Sequence, residues 1–364
     1  MSESINIKDI KDINIGLLNI GNTCYINSLT QCLIHTDLFL ELFMKEETKK
    51  IIIKNILKKN DKLIENNIIN ITDLSIEILK KTSYQLLILI KNIITNNKLN
   101  IKDYVQSICY NNKNFILGSQ HDIQELFVFL INNFKTELNE SVEVNFNKNI
   151  EKIYNGYNNL NDLLKEKINN LINNINKDFS IVTIPFIIIF KSIINCDCNY
   201  TNYLFDSNIN LQLDIIGDNL YDCLDNYFNK EKCDFSCSNC NNLLVSKQEF
   251  IWLPPQILVI HLKRFKTTFI DDKYSATKIY DTINYPFELN MSKYIYNNNT
   301  DINYELYAVC NHFGSLDFGH YYAIINKNNT WYIYNDNKVS LYNFNDEKYK
   351  INDSYMLFYK LKNN

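Results

Sequence analysis

The chain has 364 residues, long for one compact domain and short for two large ones, and 46% of them are hydrophobic, enough to bury a sizeable core. A formal net charge of −4 with no strongly basic stripe argues against nucleic acid as a partner. No apolar run approaches the ~18–20 residues that a bilayer span needs, and residues 1–6 lack the basic and apolar regions of a secretory signal, so no membrane is expected and the location expected is cytoplasmic or nuclear.

Ten cysteines in such a chain suggest thiolate chemistry and metal ligation before disulfides. Glycine is scarce, seven residues or about 2% against an average near 7%, and five of the seven (Gly16, Gly21, Gly118, Gly314, Gly319) fall in three short segments. Clustering of that kind marks loops whose backbone geometry matters.

Residues 16–29 read Gly-Leu-Leu-Asn-Ile-Gly-Asn-Thr-Cys-Tyr-Ile-Asn-Ser-Leu. A Gly- and Asn-rich turn delivers Cys24 to the first position of a helix-patterned segment, where free backbone N–H groups and the helix dipole favour thiolate. Ile26, Leu29 and Leu33, then Leu38, Leu40 and Phe43, keep a roughly helical spacing, and Leu126, Phe127, Leu130 and Phe134 repeat it after Gly118-Ser119-Gln120-His121-Asp122. Asp122 precedes that helix with Glu125 three residues on, the spacing of a capping box. Residues 136–180 carry a further helical, Asn/Lys-rich stretch (Leu163, Leu164, Ile168, Leu171, Ile172).

From Ile181 the pattern turns to strands: 187–194, 211–215, 257–265, 304–309, 321–325 and 331–334. Helices first and strands later define an α+β class. Cys237-Ser238-Asn239-Cys240 has the spacing of a zinc knuckle. Cys32, Cys109, Cys223 and Cys310 read as inert core cysteines. Of five histidines, His35 shares the Cys24 helix and reads as structural or exposed, His121 as shaping its loop, and His261, in mid-strand, as a satisfied core residue. His320 follows a loop bracketed by Gly314 and Gly319 and precedes an apolar strand; Asn335 and Asp336 close the next one. Cysteine, then a distant histidine, then Asn or Asp is the order of a papain-like thiol hydrolase.

The run around Cys24 resembles the cysteine box of the ubiquitin-specific proteases, and the runs around His320 and Trp331–Asp336 resemble their histidine box. The segment 118–126 is similar to the family's glutamine–aspartate box and 253–265 (Leu-Pro-Pro-Gln-Ile-Leu-Val-Ile-His-Leu-Lys-Arg-Phe) to its proline-led strand. The four boxes stand in family order.

The resemblance implies a papain-like cysteine protease fold over 14–364, after a short extension 1–13. Its parts would be a helical thumb (about 16–135), a variable insertion (about 136–180), zinc-ribbon-like β fingers (about 190–252) and a palm of the remaining strands to about 362. It implies Cys24 as nucleophile, His320 as general base, Asn335 as the residue that orients it, with Asp336 the charged alternative, and Asn19 as oxyanion donor beside the Cys24 N–H. His312 would shape the histidine loop. Asp122 would bind an arginine-bearing ubiquitin tail, with Gln120 as companion. For the metal, Cys196-Asp197-Cys198 stands where the family has a pair with a two-residue spacer. On a strand, residues two apart face one side, so both thiolates would still reach a structural zinc with Cys237 and Cys240, and Cys233 is the substitute. The activity implied is hydrolysis after the C-terminal glycine of ubiquitin, by a monomer; a protease for a ubiquitin-like modifier and a ubiquitin-binding scaffold with weak chemistry are the alternatives.

Overall fold

A computed structural model describes residues 14–65, 76–95, 99–139, 162–177, 180–270, 273–296, 301–315, 318–344 and 353–362. The extension 1–13 and residues 140–161 of the expected insertion lie outside the described residues.

Helices fill the first part of the chain: α1 (Cys24–Ile34), α2 (Asp37–Met44), α3 (Glu46–Glu65), α4 (Thr82–Ile94), α5 (Lys102–Asn111) and α6 (Ile123–Glu137). Every residue of α1 is buried, polar ones included, so this helix is enclosed on all sides rather than laid on a surface. Phe43 packs against Phe39 and Phe134 with ring centroids 5.2 and 5.5 Å away, locking α2 to α6. The buried carboxylate of Glu137 accepts hydrogen bonds from the backbone N–H groups of Thr82 (3.1 Å) and Ser83 (2.8 Å). A negative charge at the free N–H groups that open α4 ties the two helices electrostatically. α7 (Asp162–Lys177) sets Ile168 and Ile172 against Phe205 and Trp252.

The strands follow as β1 (Ile188–Asn195), β2 (Thr201–Asn208), β3 (Leu211–Asp214), then α8 (Leu220–Tyr227), β4 (Glu231–Asp234), β5 (Leu244–Leu253) and β6 (Ile257–Lys263). Next come β7 (Phe265–Ile270), β8 (Lys273–Lys278), β9 (Glu288–Asn290), β10 (Asn303–Gly314), β11 (Gly319–Lys327), β12 (Thr330–Asn335), β13 (Lys338–Leu341) and β14 (Ser354–Leu361). One four-stranded sheet has the order β2-β1-β5-β4; the larger, eight-stranded sheet runs β13-β12-β11-β10-β14-β6-β3 with β9 on β10. β7 and β8 form a separate hairpin. The α+β class and its papain-like division into helical, palm and finger parts match the expectation. The expected finger segment does not form one unit, because β3 leaves it to pair in parallel with β6 in the palm.

The large sheet is covered on both faces. Ala308 and Cys310 of β10 and Met356 and Phe358 of β14 join the cluster shared with α1 and α6. Val309, Leu357 and Tyr359 join the opposite cluster, with Leu220 and Leu224 of α8. Successive side chains point to opposite faces, so a strand buried on both sides reads as an unbroken apolar run. Each fully buried Leu or Phe contributes about 1.5–3 kcal/mol of transfer free energy. The sheet and α1 therefore form the rigid body on which the site stands.

Candidate active site

Between Asn14 and Thr23 the chain is a strap laid across the start of α1 and the turn after β12. Gly16 is required there: a Cβ on it would lie 2.4 Å from the Asp336 carbonyl oxygen and 2.5 Å from the carbonyl carbon of Asn337. That approach lets the Leu17 N–H donate to the Asp336 carbonyl (2.9 Å).

Cys24 opens α1 as expected and is 1% exposed. His320 sits at the start of β11, opposite Phe313 in register, next to the sulfur. Its Nε2 lies 2.7 Å from Asn335 Oδ1 at the end of β12, which leaves Nδ1 to face Cys24. The imidazole is pushed up to about 9, first by its hydrogen bond with Cys24, against burial, and further by Asn335, the Cys24 charge and the Asp336 charge. An imidazolium thus persists beside the sulfur through neutral pH.

Asp336 stands 4.0 Å from His320 Nε2 and serves two other groups. Asn19 Nδ2 donates to its Oδ2 (3.0 Å) and Asn27 Nδ2 to its Oδ1 (2.7 Å). Asn27 also donates to the Leu17 carbonyl (3.2 Å), and the Asn19 Oδ1 accepts from the N–H groups of Gly21 (3.0 Å) and Thr23 (3.1 Å). The Asn19 amide is therefore fixed on both sides, with one Nδ2 hydrogen not directed at Asp336. Asn19 thus builds the turn into α1 with its carbonyl oxygen and keeps one Nδ2 hydrogen for a further acceptor. Asn27 is not among the residues the motifs mark; its one signal in the sequence is its place three positions after Cys24, on the same helical face.

Gln120 pairs with the Gly319 backbone through both amide atoms, Nε2 to O at 2.5 Å and N–H to Oε1 at 3.2 Å. Asp122 caps α6 by accepting from the Gln124 N–H (2.7 Å), while the Tyr355 hydroxyl donates to its other oxygen. A carboxylate has lone pairs beyond these two bonds, so the cap leaves room for a further donor.

The other histidines divide. His35 is half-buried and lowered to about 4 by burial, its ring nitrogens 2.8 Å from the Gln31 carbonyl and 3.2 Å from the Tyr334 hydroxyl. His121 Nε2 accepts from the Ile116 N–H (2.9 Å) and shapes its loop. His261 is buried as expected but not satisfied: neither ring nitrogen has a partner among the described residues, and burial lowers it to about 4. A cavity of about 740 Å³ lies at the far end of α1, lined by residues such as His35, Tyr307 and Lys327, and includes neither Cys24 nor His320.

In the fingers, the sulfurs of Cys196, Cys198, Cys237 and Cys240 lie within 4.8 Å of one another and are placed to hold one metal ion. Cys196 and Cys198 converge for a reason other than strand alternation. They occupy the turn between β1 and β2, where the Asn199 N–H donates to the Cys196 carbonyl (3.0 Å) and Asn199 takes a left-handed φ of 64°. Cys233 stays outside the group.

Cysteine at a helix start, histidine on a strand and asparagine on the next strand, set in an α+β frame, define the papain-like class. A family model described as ubiquitin carboxyl-terminal hydrolase matches residues 15–359, and the chain belongs to that family. A probable ubiquitin carboxyl-terminal hydrolase 8 of Schizosaccharomyces pombe is 33% identical over 171 residues, 46% of this chain and 36% of that protein. A probable ubiquitin carboxyl-terminal hydrolase of Acanthamoeba polyphaga mimivirus is 33% identical over 185 residues, 45% of this chain and 37% of the relative. The matches thus cover little more than a third of these curated relatives. A solved SAGA Ubp8/Sgf11/Sus1/Sgf73 module bound to ubiquitin aldehyde superposes with a TM-score of 0.67 at 25% identity, covering 98% of this chain and 71% of that one. Among the described residues no helix is long and apolar enough to cross a membrane.

Proposed function

We propose that this chain is a thiol-dependent deubiquitinase that cleaves the peptide or isopeptide bond after the C-terminal glycine of ubiquitin. The observation that carries the reading is His320 held between the Cys24 sulfur and Asn335 Oδ1, inside a family match that spans nearly the whole chain.

In this reading the Cys24 thiolate attacks the scissile carbonyl carbon. The oxyanion that forms is met by the Cys24 N–H and the second Nδ2 hydrogen of Asn19. The His320 imidazolium gives its Nδ1 proton to the departing amine, leaving a thioester between Cys24 and the ubiquitin carboxyl. Neutral His320 then takes a proton from water, which attacks the thioester and frees the carboxylate and the thiolate. Asn335 keeps the ring aimed at sulfur, and Asp336 adds negative charge beside the imidazolium. Asp122, with Gln120 as companion, takes the ubiquitin tail. A cytoplasmic or nuclear monomer is the reading for state and location.

Ubiquitin bearing a C-terminal vinyl sulfone tests this. One adduct per chain, mapped by mass spectrometry to Cys24, is the expected result. No adduct, or one on another cysteine, would overturn it, and labelling only by a probe built on a ubiquitin-like modifier would move the substrate to that modifier.

Structural zinc is the reading for the four-cysteine group. The Cys196–Cys240 and Cys198–Cys237 sulfur separations, 3.5 and 3.7 Å, suit the edge of about 3.8 Å of a tetrahedron with ~2.3 Å bonds. The Asn239 amide donates to the Cys198 sulfur and favours its thiolate, while the neighbouring sulfurs push the Cys240 thiol up. Four thiolates leave no position for water, so the ion would hold the finger tip rather than act in chemistry. Purified protein is expected to contain about one zinc per chain. Cys237→Ser should release it and lower Tm by about 5 °C or more, with Cys24 labelling unchanged. Metal-free protein with an unaltered Tm would sink this reading.

A further inference from the structure

The hairpin β7–β8 lies apart from both large sheets, yet its last residue reaches the loop that carries His320. β10 pairs with β14 only as far as Asn311, opposite Ser354, the first residue of β14. Beyond that point β10 continues through His312, Phe313 and Gly314, paired with β11 on one edge. The carbonyls of His312 and Gly314, two residues apart, point to the same edge, and among the described residues no strand meets them there. Lys278 Nζ donates to both, at 2.7 Å each.

The lysine is itself held in place. Arg264, 0% exposed, donates from its guanidinium to the carbonyls of Ile279 (3.1 Å), Asp281 (2.8 Å) and Ser354 (2.6 Å). The Arg264 carbonyl in turn accepts from the Ile279 N–H (2.7 Å), so the residue after Lys278 is pinned in both directions. Phe265, opposite Lys278 in the hairpin, stacks edge-on against the His312 ring at 5.3 Å. That ring fills the space beside Gly319, where a Cβ would come within 2.0 Å of His312 Nε2. Gly319 directly precedes His320, and its other side is held by Gln120. The histidine loop is thus gripped from the thumb by Gln120 and from the hairpin by Lys278.

We propose that Lys278 is a positioning residue for the reaction: by bridging the carbonyls of His312 and Gly314 it fixes the end of β10, and through it the placement of His320 against Cys24. This rests on the reading of Cys24 and His320 as the reacting pair. A shift of about 1 Å between reacting groups lowers turnover by up to about 100-fold, while binding by distant surfaces is untouched. Lys278→Met keeps the aliphatic stem and removes the donors; Lys278→Arg restores donors able to span two carbonyls.

The test measures kcat and KM on a fluorogenic ubiquitin C-terminal reporter, Tm, and the rate of Cys24 alkylation by iodoacetamide at pH 7. Lys278→Met is expected to lower kcat by about 10–100-fold with KM within about twofold, to slow alkylation, and to be partly rescued by Lys278→Arg. A kcat within twofold of wild type, or a loss that falls on KM with alkylation unchanged, would overturn the proposal. Should Lys278→Met melt below the assay temperature, Lys278→Gln is measured in the same way and judged by the same outcomes. Failure of the function itself would appear differently, as wild-type protein that the vinyl sulfone probe does not label at Cys24.

Discussion

Cys24→Ala is expected to lower turnover of a ubiquitin C-terminal reporter by about 10⁴-fold or more while leaving ubiquitin binding measurable by calorimetry. Among the described residues no second cysteine is available to replace it: Cys32, on the same helix, is fully buried with its sulfur 3.3 Å from that of Cys310. Alanine suits a helix start, and the void left by one sulfur costs about 1 kcal/mol, so the fold is expected to survive. The substitution also has a signature that a folding defect lacks. The hydrogen bond with Cys24 is the largest cause holding His320 at about 9, and burial opposes it. With the sulfur gone, His320 should titrate well below 9, visible as a shifted ring-proton titration in NMR. Turnover within tenfold of wild type would remove Cys24 from the chemistry, and an unmoved His320 titration would remove the pairing.

Much of this site can be read from the sequence because its chemistry is local. Asn19, Cys24 and the turn between them occupy six consecutive positions, and His320 follows its own loop directly. Six strands announced themselves through apolar runs, β10 and β11 most clearly. Of the finger strands only β1 did; β2, β4 and β5 did not. β2 reads Thr-Asn-Tyr-Leu-Phe-Asp-Ser-Asn and alternates only between exposed and half-buried positions, so it lacks the apolar beat that marks a strand. β5 carries Ser-Lys-Gln-Glu through its middle for the same reason. β14 is a different case: Ser-Tyr-Met-Leu-Phe-Tyr is buried on both faces, an apolar run that the six expected strands do not include.

What no local pattern contains is pairing at a distance. Asn27 meets Asp336 across 309 positions and Lys278 meets His312 across 34. Adjacent residues at a strand end would normally face opposite ways, which makes Asn335 and Asp336 look like rivals. Asp336 adopts a left-handed φ of 51°, and that turn brings both side chains to one histidine.

Asp336→Ala is therefore expected to cost more in kcat than Asn335→Ala, about 10²–10³-fold against about 10–100-fold, although Asn335 is the residue on the imidazole. Removing Asp336 strips the acceptor from two amides at once. Asn19 loses the bond that aims its free hydrogen at the forming oxyanion, and Asn27, 2% exposed, loses one of the acceptors that join α1 to the strap. Removing Asn335 loosens only the ring. The pH profile should rank the two in the opposite order. His320 is raised above its ordinary value, so the imidazolium is present below about 9 and is lost as pH rises through it, which sets the alkaline limb of activity. The Asn335 hydrogen bond is a larger cause of that elevation than the Asp336 charge. Asn335→Ala should accordingly bring the alkaline limb to lower pH by more than Asp336→Ala does, while costing less in rate. If one residue leads in both measurements, the division of labour between orienting the base and holding the oxyanion donor is wrong, and that residue alone is the partner of His320.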